Sequence, residues 1–180
     1  MTVLSVIAPF VWVALLVFGS GVFAKVRAYE TTKGEAWAYV GLLGVLMQNA
    51  IFATVVATEV TLNAGADSLA ANAALTETIW RFQRAIFTLN GTSLALALTG
   101  FSVAALGAGF IPKWHAYLGL AGAALLFVSA ATVMPVVEGT GAVFIGLPGF
   151  VLWLVWILAM GVRLIREPIS TGGATAETPA

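Results

Sequence analysis

The sequence predicts an all-α integral membrane protein, a five-helix bundle with its N-terminus outside and its C-terminus inside. Three observations carry that expectation. The 180-residue chain is 61% hydrophobic and only 9% charged, where a soluble domain carries about 25% charge. Apart from Arg84, near the start of the third, the charges lie between or after five long apolar stretches. The cations also divide unevenly: in this arrangement Lys25, Arg27, Lys33, Lys113, Arg163 and Arg166 lie inside, and only Arg81 and Arg84 outside. Six against two is the bias that the positive-inside rule describes for short loops.

The first span, about residues 2–24, belongs to a stretch without charge from Met1 to Ala24, long enough for a hydrocarbon core of about 30 Å. A signal peptide opens with positive charge. Here the cations follow the apolar run, which suits a retained anchor. Lys25 to Glu35 reads as a short charged turn. The second span, about residues 36–58, starts beside Glu35, whose carboxylate suits the positive end of a helix dipole. Trp37 and Tyr39 are placed as interfacial aromatics. Gly41, Gly44, Gln48, Phe52, Val55 and Glu59 share one face, and small residues there predict close packing against another helix. Val60 to Leu75 reads as an exterior loop with a short helix capped by Asp67 or Ser68.

The third span, about residues 82–106, organises the rest. Its helix is expected to project a turn or two beyond the bilayer before Arg84. At 100° per residue, Glu77, Arg81, Arg84, Thr88, Gly91, Thr92, Ala95, Thr99 and Ser102 form one polar or small stripe. In so apolar a chain that stripe should face the bundle, leaving Leu94, Leu96, Leu98 and Phe101 mostly toward lipid. Gly107, Gly109 and Pro112 end the helix. The fourth span, about residues 114–136, carries Gly119, Gly122, Leu126, Ser129 and Val133 along one side, with Pro135 positioned to kink or terminate it. The fifth, about residues 142–162, is interrupted early by Gly146-Leu147-Pro148-Gly149, where a kink is expected. Residues 1–166 thus form a single transmembrane domain, and 167–180 read as a disordered tail. There is an internal echo, Ala38-Tyr39-Val40-Gly41-Leu42-Leu43-Gly44 against Ala116-Tyr117-Leu118-Gly119-Leu120-Ala121-Gly122. It would make spans one and two a repeat of three and four, or else reflects the Gly and Ala content of membrane helices.

Composition removes several kinds of chemistry. The chain has no cysteine and one histidine, which excludes disulfides, thiolate catalysis, thiolate metal sites and a two-histidine haem within this chain. Zero net charge gives no reason to expect nucleic acid. No P-loop, HExxH, GxSxG or paired-carboxylate pattern appears. No metal, cofactor or catalytic residue is expected. His115, beside Lys113 and Trp114, reads as an inner-surface anchor.

Polarity is concentrated in the outer half. Gln48 and Asn49 fall near the middle of span two, with Asn90 and Ser129 at similar depth on spans three and four. Glu59, Arg81, Arg84 and Thr88 lie above them. These eight residues are the candidate ligand contacts of an outward-facing polar pocket between spans two, three and four. Each also has a structural alternative. Gln, Asn and Thr in membrane helices commonly hydrogen-bond to neighbouring helices, and the charged residues can pair or snorkel to headgroups. Glu77 and Arg81 are four apart in the favourable acid-first order, and Arg84 is positioned to reach Glu59 across the helix pair. The inner half reads as apolar and glycine-rich.

The segments FTLNGTSLALALTGFS, GFIPKWHAYLGLAGAALL and GLPGFVLWLVWILAMGVRLIR resemble parts of small bacterial multi-pass membrane proteins classed as a domain of unknown function. The resemblance covers about Arg84 to Arg166. It implies a bacterial inner-membrane location and no mechanism. The functional expectation is a protein that binds a lipid or amphiphile, or an accessory subunit of a membrane complex. A small oligomeric transporter is the alternative, and an intramembrane enzyme the least supported reading. The partners expected are membrane lipids and further copies or subunits, with no nucleic acid.

Overall fold

Backbone amides have no water to bond in hydrocarbon, so a chain this apolar satisfies them within helices. The computed structural model describes residues 3–166, and every regular element among them is helical. In order these are α1 (Val3–Lys33), α2 (Trp37–Ala64), α3 (Ala66–Ala70), α4 (Ala73–Gly107), α5 (Lys113–Ala131), α6 (Val133–Val137), a 3-10 turn (Gly141–Ile145) and α7 (Gly146–Arg166). Five stretches are long and apolar enough to cross a membrane: Val6–Glu30, Trp37–Ala64, Ala73–Gly107, Lys113–Ala131 and Gly141–Arg166. That is the architecture of a multi-pass membrane protein. The tail expected at 167–180 lies outside the described residues.

Several helices run further than their apolar stretches. α1 continues through the charges from Lys25 to Lys33, because nothing breaks it before Gly34. There φ is +69°, and the Glu35 amide donates to the Glu30 carbonyl at 3.2 Å, closing the helix in a Schellman motif. Gly109, with φ +66°, ends α4 the same way through Phe110 N to Ala105 O at 2.9 Å. The stretch expected as an exterior loop is also largely helical. α2 reaches Ala64 and α3 follows, its N-cap being Gly65 rather than Asp67 or Ser68. Asn72 caps α4 by accepting from Leu75 N at 3.1 Å, so α4 begins three turns before Arg84.

Two of the prolines mark helix boundaries, while Pro9 lies inside α1. α5 ends at Ala131, four residues before Pro135, whose ring would collide with that carbonyl in a continuous helix. Pro148 occupies the first turn of α7, where no intrahelical donor is required. The expected interruption is therefore the start of a helix, preceded by the 3-10 turn.

α4 is the hub, packing against α2 on one side and α5 on the other, with further contacts to α1, α6 and α7. The polar and small stripe from Thr88 to Ser102 is buried or half-buried, as its spacing predicts. Leu94, Leu98 and Phe101 do not face lipid, however. Their exposures are 7%, 1% and 1%, because helices surround α4 on nearly every side, and only Leu96 of the expected set stays exposed. The glycine face of α2 packs against α4 as its small residues predict. A Cβ on Gly100 would run into the Gly41 backbone, and one on Gly44 into the Ala97 backbone. A Cβ on Gly91 would stand 2.7 Å from the Leu126 carbonyl of α5. The echoed strings bury the same positions, Ala38 and Ala116 completely, while exposing Tyr39 and Tyr117. They do so against different partners: Gly41 meets Phe101, and Gly119 meets Ser102 and Trp156.

One end of the bundle gathers most of the cations. Arg163 donates to the Phe110 carbonyl at 3.0 Å, and the Lys25 ammonium stands 5.3 Å from the Phe110 ring. Arg27 lies 4.7 Å over Tyr39 at the start of α2. These contacts bring the end of α1, the start of α2, the α4–α5 turn and the end of α7 together. At the same end, hydrogen bonding with Tyr29 holds Lys33 above the ordinary lysine pKa.

Candidate functional site

At the opposite end, the long α2 and α4 run past the bundle core and carry Glu59, Gln83 and Arg84 there. Gln83 lies on the α4 stripe that faces α2, seven residues before Asn90 and fourteen before Ala97. Its Nε2 donates to Glu59 Oε1 at 3.2 Å. Arg84, one residue on, turns about 100° around the helix toward the turn after α6, where its Nη1 stands 3.9 Å from the Cβ position of Gly139. Thr88 is buried, and its hydroxyl donates to the Arg84 carbonyl at 2.8 Å.

These residues line an open groove of about 500 Å³ between α2, α4 and the α6–3-10 connection. Glu59, Gln83, Arg84 and Thr88 supply its polar side; Phe52, Phe87, Val136 and Val143 supply its apolar side. A second groove of about 470 Å³ opens beyond Glu59 toward α3, with Asn63, Thr76 and Trp80 in its wall and no cation. The third cavity lies deep, beside Gln48, Phe101 and Trp156, and at about 10 Å³ it is no larger than a water site.

The expected ion pair between Glu59 and Arg84 is not formed. Glu59 is engaged by Gln83 at the α2–α4 seam, whereas Arg84 is directed around α4 to the α6 side. The pair that does form is Glu77 with Arg81, at 2.9 Å on one exposed helix face.

Of the remaining candidates, the groove takes in only Thr88. Asn49 holds two helices together, its Nδ2 donating to the Trp12 carbonyl of α1 at 3.0 Å. Gln48 lines the small deep cavity. Asn90 is 4% exposed in the core. The Oε1 of Gln48 and the Oδ1 atoms of Asn49 and Asn90 have no hydrogen-bond partner among the described residues. Ser129 packs against Gly146 at the α5–α7 contact, where a Cβ on that glycine would lie 2.6 Å from its hydroxyl. The polar site therefore lies against the α6–3-10 connection rather than against α5.

The half of the bundle near the cations is not purely apolar, and His115 is not a surface anchor. Its exposure is 0%, since the third position of α5 points inward and leaves the rim to Trp114, 59% exposed. Its Nε2 lies 3.1 Å from the Trp156 carbonyl, an acceptor only, so this nitrogen carries the proton. The ring sits between Trp114 and Trp156, with centroids 5.3 and 5.4 Å away. The Ser102 hydroxyl and Trp156 Nε1 both project over Gly119, filling the space its missing side chain leaves.

Two residues carry more than their place in the sequence suggests. Gln83 escapes notice between Phe82 and Arg84, although its spacing of seven and fourteen from Asn90 and Ala97 marks the α2-facing stripe. Glu30, set in a charged run, has 0% exposure, and both its carboxylate oxygens accept from Ala38 N at 2.9 Å. The chain matches no protein-family model, no curated protein and no solved structure. Function is therefore read from the site's own chemistry.

Proposed function

We propose that this protein resides in a bacterial inner membrane with its N-terminus outside, and that its outward-facing groove holds a lipid or another amphiphile. The observation that carries this reading is the groove's two-sided wall. Phe52, Phe87 and Val136 offer a surface to an acyl chain, while Glu59 and Arg84 offer charge at the same opening. Sites for small amphiphiles combine such apolar lining with a few placed polar groups, and ionisable side chains beside a bilayer usually mark a partner or a function. The placement of Lys25, Arg27, Lys33, Lys113, Arg163 and Arg166 at one end supports the orientation. A transport role draws less support, because the cavity beside Gln48 is only about 10 Å³.

The test fills the groove. Val143 lines it and is 44% exposed, so Val143→Trp adds bulk without disturbing the core. Protein purified in mild detergent and weighed by native mass spectrometry should carry lipid in the wild type and lose most of it in the variant. Equal retention by both proteins would place the lipid elsewhere and reject the groove as the site.

A further inference from the structure

Glu59 and Arg84 share one groove yet neither neutralises the other, and each keeps unused capacity. Glu59 Oε1 accepts from Gln83, while Oε2 takes no hydrogen bond from the described residues. Among the described residues no carboxylate pairs with Arg84: Glu77 is held by Arg81 at 2.9 Å, and Glu59 by Gln83. Among the described residues the guanidinium finds no hydrogen-bond acceptor, so its forked donors remain open to a planar or tetrahedral oxyanion. A groove carrying an uncommitted acceptor and an uncommitted cation at separate points fits a headgroup with the reverse arrangement. Building on the groove reading, we propose that the occupant is a zwitterionic phospholipid with a primary ammonium, of the phosphoethanolamine class.

The assignment follows from which group meets which. Arg84 receives the phosphodiester, since a guanidinium matches phosphate oxygens in a bidentate fork. Glu59 receives the ammonium, whose three N–H donors can bond to a carboxylate; a quaternary choline has none to give. An anionic headgroup such as phosphoglycerol satisfies Arg84 but leaves Glu59 facing hydroxyls and a net negative ligand. The acyl chains then descend along Phe52, Phe87 and Val136.

The experiment offers the full-length protein in nanodiscs equal amounts of phosphatidylethanolamine, phosphatidylglycerol and phosphatidylcholine, then measures the lipid retained on gentle release by native mass spectrometry. Wild type should retain phosphatidylethanolamine about tenfold over the other two, a ratio equivalent to about 1.4 kcal/mol. Glu59→Gln, which keeps the shape and removes the charge, should lose the preference over phosphatidylglycerol while still retaining phospholipid. Arg84→Gln should lose phospholipid of all three kinds. Unchanged melting temperatures in detergent would establish that both variants are folded. If either melts lower, the charge-conserving Glu59→Asp and Arg84→Lys are measured instead and should keep the headgroup preference and the bound phospholipid respectively; loss of either in a folded variant overturns the assignment. Equal retention of phosphatidylglycerol by wild type, or an unaltered preference in Glu59→Gln, overturns the headgroup assignment and leaves the groove reading standing. Retention by wild type no greater than by Val143→Trp overturns both.

Discussion

Glu30 joins the end of one helix to the start of the next. Its backbone carbonyl accepts from Glu35 N and closes α1. Its side chain accepts from Ala38 N with both oxygens at 2.9 Å, and so caps α2. A carboxylate there meets the positive end of the α2 dipole and satisfies a first-turn donor that water cannot reach, since Ala38 is 0% exposed. Removing the oxygens strands that N–H. Glu30→Ala should therefore lower stability by about 1–3 kcal/mol, the usual penalty for a buried unsatisfied donor. Glu30→Gln keeps one acceptor and should cost less. Thermal unfolding in detergent checks both, and equal stability of wild type and Glu30→Ala would show that the cap contributes nothing. Little of this was legible in the sequence, because a glutamate among Lys25, Arg27, Lys33 and Glu35 looks like any solvated charge. Its burial depends on how α1 turns back on α2 at Gly34. His115 misled for the same reason: polarity and neighbours suggested a rim position, while the inward direction of the third residue of α5 decided its place.

At the scale of helices, contact depends on missing side chains. α2 and α4 cross where Gly41, Gly44 and Gly100 let backbone touch backbone, a close approach that membrane helices use to gain van der Waals contact. Gly100→Ala must push the helices apart or distort them, at a cost of about 1–3 kcal/mol for overpacking. Gly161 supplies the control, since a Cβ added there on α7 meets nothing within 4 Å. Gly161→Ala should be neutral, or stabilising by about 0.5–1 kcal/mol through helix propensity. Thermal melts of the pair in one detergent would decide, and a Gly100→Ala protein as stable as wild type would rule out the backbone crossing. The face bearing Gly41 and Gly44 was legible because small residues at helical spacing have few other uses in an apolar helix. The surroundings of α4 were not. Periodicity assigned it a lipid face, but Leu94, Leu98 and Phe101 are buried by α2, α5 and more distant parts of the chain, and no local pattern encodes which helix becomes central. The groove was half legible for a related reason. Glu59, Arg84 and Thr88 announced themselves by charge and depth, whereas the α6–3-10 wall and Gln83 depended on long-range packing.

The whole molecule is electrically polarised. Six of its eight lysines and arginines sit at the end where α1, the α4–α5 turn and α7 meet, and that end carries only Glu30 and Glu35 among the described acids. The other end holds Glu59, Asp67, Glu77 and Glu138 against Arg81 and Arg84. Topology responds to lysine and arginine near the span ends and largely ignores acids, so the cation-rich end should remain in the cytoplasm and the groove should open outward. The absence of cysteine makes this directly measurable, because any thiol introduced is the only one. Asp67→Cys, on α3 beyond the bundle, should react with a membrane-impermeant maleimide in intact cells whose outer membrane has been permeabilised. Glu35→Cys, exposed in the turn between α1 and α2, should react only after the inner membrane is broken. The reverse pattern would invert the protein, turn the groove toward the cytoplasm and require any lipid held there to come from the inner leaflet.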